Sequence, residues 1–463
     1  MRDSTDAAST LAHEGSVAGY SSRRGVISWM FFDWAAQPYH TVIITFIFAP
    51  YFAAFVAPTP LQGQEMWGYA SAIAGVMIAL LAPVLGAIAD VSGPRKPWIG
   101  AFSAMAIIGA AMLYLALPSA LASPSTITIT LFAFVMALVG IEFSAVFVNA
   151  MMPDLVPRSE MGKLSGSGWA LGYVGGIIAL IFILALMSAN PETGKTLLGL
   201  DPVLGLDAAS NEGDRASGPF SAIWYLVFII PMFLFTPDKV SVTGTGSKLK
   251  KGLANLLETI RSLPRRPSLS SFLLSSMLYR DGLNALYAFG GIYAATVLGL
   301  SIVQVGVFGI LAAFTGAIGA FLGGRLDARF GPRPVVFTSC WLLVLSCTLI
   351  VSTTREVTLF FIEISSETIP VYVFYGAGAL IGAAGGSLQA ASRTLLIDQV
   401  DRKDATQAFG LYALTGRATA FVGPLAIAFV TSISQSQRIG ITPVIILLAL
   451  GAIGLFWVRS REG

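Results

Sequence analysis

Charge is what this sequence has least of. Its 463 residues include 28 Lys and Arg, 25 Asp and Glu and two His, so that only 11% are Asp, Glu, Lys or Arg, while 55% are hydrophobic and the mean hydropathy is +0.76. Soluble domains carry roughly 25% charged residues, and a chain with less than half of that cannot cover a water-facing surface of this size. Soluble enzymes, secreted disulfide scaffolds and disordered regulators are excluded on that ground. Cysteine is almost absent as well: Cys340 and Cys347 share one apolar stretch and form neither a disulfide framework nor a zinc site. No nucleophile–base motif, metal-binding cluster or nucleotide loop is present, so no enzymatic activity, cofactor, metal or nucleic-acid partner is expected.

What is abundant is Gly (48) and Phe (30), the usage of helices that lie close together in lipid. A transmembrane helix needs roughly 20 mostly apolar residues, and such runs occur twelve times. They fall near 26–57, 66–89, 97–117, 125–151, 163–189, 218–236, 271–298, 302–324, 334–352, 368–392, 405–432 and 439–458. Residues 1–25 are polar, contain Asp3, Asp6 and Glu14, lack the apolar core of a signal peptide, and read as a flexible cytoplasmic tail. Of the 28 basic residues, 22 fall in the tail, the carboxy terminus and the alternate loops on the same side. Only Lys195, Arg215, Arg355 and Arg438 fall on the other side, and Arg280 and Arg417 lie within spans. The positive-inside rule therefore puts both termini in the cytoplasm, in a membrane of the bacterial inner type. Between spans six and seven, Leu249, Leu253, Leu256, Leu257, Ile260 and Leu263 recur at helical spacing among Lys248, Lys250, Lys251, Arg261, Arg265 and Arg266. This is an amphipathic helix for the inner leaflet, in preference to a regulatory segment.

The chain repeats itself. Asp33 and Tyr39 match Asp281 and Tyr287 at an offset of 248. Gly86-x-x-x-Asp90-Val-Ser-Gly93-Pro94-Arg95 matches Gly323-x-x-x-Asp327 running on to Gly331-Pro332-Arg333. Asp154 and Arg158 match Asp398 and Arg402, and Gly166 and Gly172 match Gly410 and Gly416, both at 244. Matches in the same order imply two equivalent six-helix halves, 26–236 and 271–463, joined by a linker over 237–270.

The turn Gly86-x-x-x-Asp90 through Lys96, with its weaker copy at 323–333, resembles the signature loop of the major facilitator superfamily. Four further stretches are similar to a poorly characterised branch of that superfamily: Phe32-Asp33-Trp34-Ala35, Asn149 through Asp154 with Gly166 through Gly176, Tyr279-Arg280-Asp281-Gly282, and Gly385 through Arg393 with Phe409 through Leu414. That branch includes vacuolar amino-acid effluxers linked to autophagy. The resemblance implies an all-α membrane protein of twelve transmembrane helices in two pseudo-symmetric bundles, working as a secondary active transporter by alternating access. It implies an amino acid, a related zwitterion or an organic anion as solute, a proton as coupling ion, and a monomer in the lipid bilayer. The sequence departs from the branch after Ala35, where Ala36-Gln37-Pro38-Tyr39-His40 replaces the usual Asn-Ser-x-Tyr. A lipid or lysolipid translocator and a proton-independent facilitator remain open.

An ionisable group in hydrocarbon costs at least about 2.5–3.5 kcal/mol on insertion scales, so each such group needs a partner or a function. Asp33, Glu142, Arg280, Asp281 and Arg417 lie well inside spans. Asp33, Gln37 and His40, and likewise Arg280, Asn284 and Tyr287, fall at i, i+4, i+7, so each trio shares one helix face, read as cavity lining in preference to interhelical glue. With Tyr39, Asn149, Gln389 and Arg417 they make the candidate substrate contacts. Arg417 is equally a carboxylate anchor or a fixed partner of Asp33, Glu142 or Asp281. Asp33, Glu142 and Asp281 are the candidate proton carriers. A lone span histidine such as His40 more often serves packing than relay. Pro38 frees a carbonyl for a kink or a ligand contact. Asp90, Arg95, Lys96, Asp154, Arg158, Asp327, Arg329, Arg333, Asp398 and Arg402 are read as inner-gate clasps, against the alternative of solvated loop charges worth about 0–1 kcal/mol.

Overall fold

The computed structural model describes residues 20–58, 60–118, 124–189, 193–238, 254, 257–258, 261–296, 302–354, 357–359, 362–363, 368–401, 404–420, 422–434 and 436–459. The side chains of some helical residues, Asp90 and Arg417 among them, lie outside this description, as do Arg402, residues 1–19 and most of the expected amphipathic helix.

Among the described residues, nine helices are long and apolar enough to cross a membrane. The expected spans one, seven and eleven are not in that group, and they carry four of the five mid-span charges, Glu142 standing in span four. Span seven, Pro267–Thr296, is continuous but contains Arg280, Asp281 and Asn284. Span eleven is broken between Ala405–Ala418 and Val422–Ser434. Span one begins at Arg23, where Ser22 accepts from the Gly25 N–H at 3.3 Å, and runs as α-helix to Pro38. It then widens to π-helix over Tyr39–Phe46 and again over Phe52–Val56. Spans thus depart from their apolar runs by several residues at one end or both: span two is Pro60–Ser92, span five Arg158–Leu186, span eight Ile302–Phe330 and span ten Ile369–Asp398. A two-stranded hairpin, Val357–Thr358 with Ile362–Glu363, follows span nine.

The change from α-helix to π-helix in span one comes at Pro38. Proline has no N–H, so Pro38 leaves the carbonyl of Trp34 without its helical donor. The indole N–H of Trp224 on span six fills that vacancy at 3.1 Å, and its ring stacks on Trp34 with centroids 5.6 Å apart. The freed carbonyl expected to serve a kink or a ligand is therefore held by protein. Within the N-terminal helices, Trp29 donates to Val148 O at 2.8 Å and Tyr39 to Phe134 O at 3.0 Å, fixing span one on span four. The corresponding tie on the other side is Tyr279 with Ser392, 2.8 Å apart, between spans seven and ten.

Spans five and eight meet almost backbone to backbone. A Cβ on Gly324 would lie 2.3 Å from Gly162 O, and one on Gly166 would lie 2.3 Å from Ala320 O, distances only glycine tolerates. The Gly-rich segment of span five is a close-approach surface, which is the simplest reading of its composition. Both described chain ends lie on this same face: Ser21 N–H donates to Leu155 O at 3.0 Å and Arg459 N–H to Ser268 Oγ at 2.8 Å.

Two outcomes follow. Gly324→Val is expected to lower the stability of the observed arrangement by about 1–3 kcal/mol through overpacking, read as a lower Tm in detergent. Trp224→Phe keeps the ring but orphans Trp34 O, and its expected loss of about 1–3 kcal/mol should exceed that of Trp224→Phe in a Pro38→Ala background, where the helix supplies its own donor.

Candidate functional site

Between the two sets of helices lies a cavity of about 860 Å³. Span one contributes Asp33, Gln37 and His40 to its wall, and span seven contributes Arg280, Asn284 and Tyr287. Each trio does occupy one face. The two faces correspond at an offset of 247, one less than the Asp33–Asp281 match in the sequence, so the structural counterpart of Asp33 is Arg280. The acid on one side answers to a base on the other. Glycines confirm the register: Gly168 and Gly172 leave room for Asp33, and Gly416 leaves room for Arg280, whose Cζ would be 2.3 Å from a Cβ there.

That register corrects two expectations. Tyr39 does not line the cavity: beyond Pro38 its ring turns into the N-terminal core, where it is 2% exposed and bonded to Phe134 O. Asp281, one residue beyond Arg280, is turned about 100° around the helix, away from the lining. It is 2% exposed, against the broken part of span eleven at Gly423, and cannot trade protons with the cavity directly. Glu142, Asn149 and Gln389 do line the wall. Gln389 donates to Tyr173 Oη at 3.1 Å across the two halves. Gly416 and Ala420 place span eleven at the wall, while the Arg417 side chain lies outside the described residues.

The deepest feature of the cavity is an ion pair that the sequence did not reveal. Arg393, counted from its sequence as an inner-loop residue, lies within span ten because that helix continues to Asp398. Its guanidinium meets Asp33 Oδ2 at 3.1 Å and donates to Asn149 Oδ1 at 3.0 Å, Ser165 Oγ at 2.9 Å and Ser165 O at 2.7 Å. Its charge also lies 5.8 Å from the Trp29 ring and 5.4 Å from that of Trp169. Arg280, by contrast, forms no ion pair among the described residues, although its charge acts on neighbouring Asp281. It donates to Tyr412 O at 2.8 Å and stacks 4.2 Å above the Tyr412 ring.

Below this pair the cavity is closed on the face of the chain ends. Arg158 bonds Asp398 across the halves at 2.8 Å, and Arg95 bridges Asp154 at 2.9 Å and Thr406 Oγ1 at 3.0 Å. Asp327 is buried against Gly162. Not every expected clasp reaches the other half. Lys96 donates to Phe233 O at 2.8 Å, and Arg333 to Leu455 O at 3.0 Å and Phe456 O at 3.2 Å, each capping carbonyls of its own half. Arg329 is exposed beside the Phe330 ring. At the opposite end the lining continues through Thr45, Phe46, Phe308, Val351 and Ile441, near the far ends of their helices, so the cavity reaches the face away from the chain ends.

A membrane-embedded cavity between two repeated halves, sealed at one face, is the layout of a solute carrier. The family model described as "Vacuole effluxer Atg22 like" matches residues 52–463. The chain belongs to this family. One relative is the Bacillus subtilis protein named as an uncharacterised MFS-type transporter, YxiO, 24% identical over 94% of both chains. Autophagy-related protein 22 of Cryptococcus neoformans is 22% identical over 62% of this chain and 48% of its own, so the chain spans about half the length of that fungal relative. In fold it is similar to the major facilitator superfamily transporter FucP in its outward conformation, with a TM-score of 0.68, 17% identity and coverage of 94% and 99%. It is also similar to the proton:xylose symporter XylE, with 0.70, 11%, and 95% and 96%. The protein is thus a multi-pass membrane transporter of the major facilitator superfamily and not an enzyme.

Gly416→Ala tests the Arg280 pocket. The added methyl displaces the guanidinium, and uptake should fall about tenfold, equivalent to about 1.4 kcal/mol, with the Tm little changed.

Proposed function

We propose that this Atg22-like transporter moves a small polar solute carrying an anionic group, an amino acid or related zwitterion or an organic anion, by alternating access between halves 26–236 and 271–463. The observation that carries the reading is Arg280: a guanidinium at the cavity wall, inside the membrane, bonded among the described residues to a carbonyl and stacked on a ring, retains donors for a carboxylate. Asp33, Glu142 and Asn149 on the other half supply acceptors for a donor group of the same solute. Gln37, His40, Asn284, Tyr287, Gln389 and Arg417 complete the polar contacts.

A proton is proposed as the coupling ion, carried by Asp33 or Glu142, which reach the cavity, with Asp281 acting only through its neighbours. Asp90, Arg95, Asp154, Arg158, Asp327, Asp398 and Arg402 act as the inner gate. The protein works as a monomer in a bacterial-type inner membrane with both termini in the cytoplasm, as the basic residues of its loops support. On that orientation, the cavity described above faces outward.

Thermal stabilisation of the purified protein by a panel of amino acids, organic anions, sugars and lysolipids identifies the solute. A ligand at about a hundredfold its Kd stabilises the folded state by about 2.7 kcal/mol, and the largest shift should come from a carboxylate-bearing compound. A shift from lysolipids alone would instead establish the lipid translocator. For the solute so found, uptake into proteoliposomes should rise with an imposed pH gradient and collapse with a protonophore; indifference to both identifies a facilitator. Asp33→Asn and Arg417→Gln are expected to fold and to lose coupled uptake.

A further inference from the structure

Every hydrogen bond and ring contact of Arg393 described above crosses from one half to the other. Arg393 stands on span ten, whereas Asp33 and Trp29 stand on span one, Asn149 on span four, and Ser165 and Trp169 on span five. The side chain is only 6% exposed, and Asp33 is 21% exposed at the cavity floor. When the halves part at this end, the guanidinium loses all of these partners together, and a buried cation stripped of its partners is among the costliest states a protein can enter. The cation of the Arg158–Asp398 pair is placed differently: Arg158 is one-third exposed and meets water as it leaves Asp398, which is itself 2% exposed.

We propose that Arg393 is a state-dependent anion site, occupied in the observed arrangement by the tethered carboxylate of Asp33 and in the opposite arrangement by the anionic group of the solute. Both residues line the cavity, so a carboxylate or another planar oxyanion arriving from the open side can reach the guanidinium before the seal breaks. A guanidinium presents its donors as a fork that fits two carboxylate oxygens, and Asp33 uses it unevenly, with oxygens at 3.1 and 3.5 Å from the same nitrogen. An incoming anion displaces Asp33, and the donor group of the solute takes the freed aspartate. Arg280 captures the solute first, and Arg393 ties its presence to the opening of the far face. The empty carrier stays shut there because nothing replaces Asp33. This inference rests on the alternating-access reading above and adds the exchange of one carboxylate for another.

The test uses the full chain in nanodiscs, with Cys340 and Cys347 replaced by Ala. Spin labels at Glu160 and Arg325, both exposed on the sealed face, report its opening; labels at Leu204 and Tyr372, exposed near the other face, report closure there. Acetate is the carboxylate probe, compared with chloride at equal ionic strength. Asp33→Asn keeps an acceptor beside Arg393 but removes the competing charge. It should raise the ratio of wide to narrow distances on the sealed face about tenfold, within the usual range of coupling between sites. Acetate should raise that ratio further and chloride should not. In the double variant Asp33→Asn/Arg393→Gln, which leaves no unpaired charge and so guards against misfolding, the acetate response should vanish. Distances in Asp33→Asn equal to those of the parent chain, or an acetate response that survives in the double variant, overturn the proposal. If the parent chain moves at both faces in opposite senses with the solute found by stabilisation while acetate and Asp33→Asn do nothing, the anion exchange fails and alternating access stands. If no condition moves either pair in any chain, both readings fail.

Discussion

One buried ion pair holds the described arrangement together. A charge in hydrocarbon has no water to fall back on, so the Arg393 guanidinium must find all its acceptors in the protein, and those it finds belong to the opposite half. The rest of the architecture is arranged to permit this. Ser165 is one residue from Gly166, where the backbones of spans five and eight touch, and only glycines there let the halves come close enough for the hydroxyl and carbonyl to reach Arg393. Asp33 is presented by a span that widens to π-helix after Pro38 and is fastened to span four by Trp29 and Tyr39. Close approach and charge pairing are two aspects of the same seal.

The two facing stripes on spans one and seven differ in the sign of the charge they carry. At the 247 offset, Asp33, Gln37 and His40 stand where Arg280, Asn284 and Tyr287 stand on the other side. Asn149 likewise corresponds, at the 244 offset of spans four and ten, to Arg393 itself, and the two are bonded to each other. The duplicated backbone supplies a symmetric cradle, and substitutions at equivalent positions convert it into a site with an acidic wall and a basic wall.

Much of this was legible in the sequence, and the parts that were not have physical explanations. The twelve spans, the repeat and the two polar stripes are written in hydropathy and in helical spacing, which depend only on local residues. The role of Arg393 was hidden because hydropathy ends a helix where the apolar run ends, at about residue 392, whereas the helix continues to Asp398 with its charges neutralised by the other half. No local rule contains that partner. Tyr39 was misplaced for the complementary reason: after Pro38 the helix widens, and a 3.6-residue period no longer says where side chains point. The inner charges read as one class of clasp fall into two. Arg158 and Arg95 reach across the halves, while Lys96 and Arg333 close the ends of neighbouring helices in their own half.

The proline of span one bears on how the protein moves. A helix broken in lipid usually admits water to its loose carbonyl and becomes a point of flexure. Here the loose carbonyl is gripped by an indole from span six, so the proline site is braced by protein. Spans one and six are consequently tied at the point where span one lacks a helical bond, and both belong to the N-terminal half.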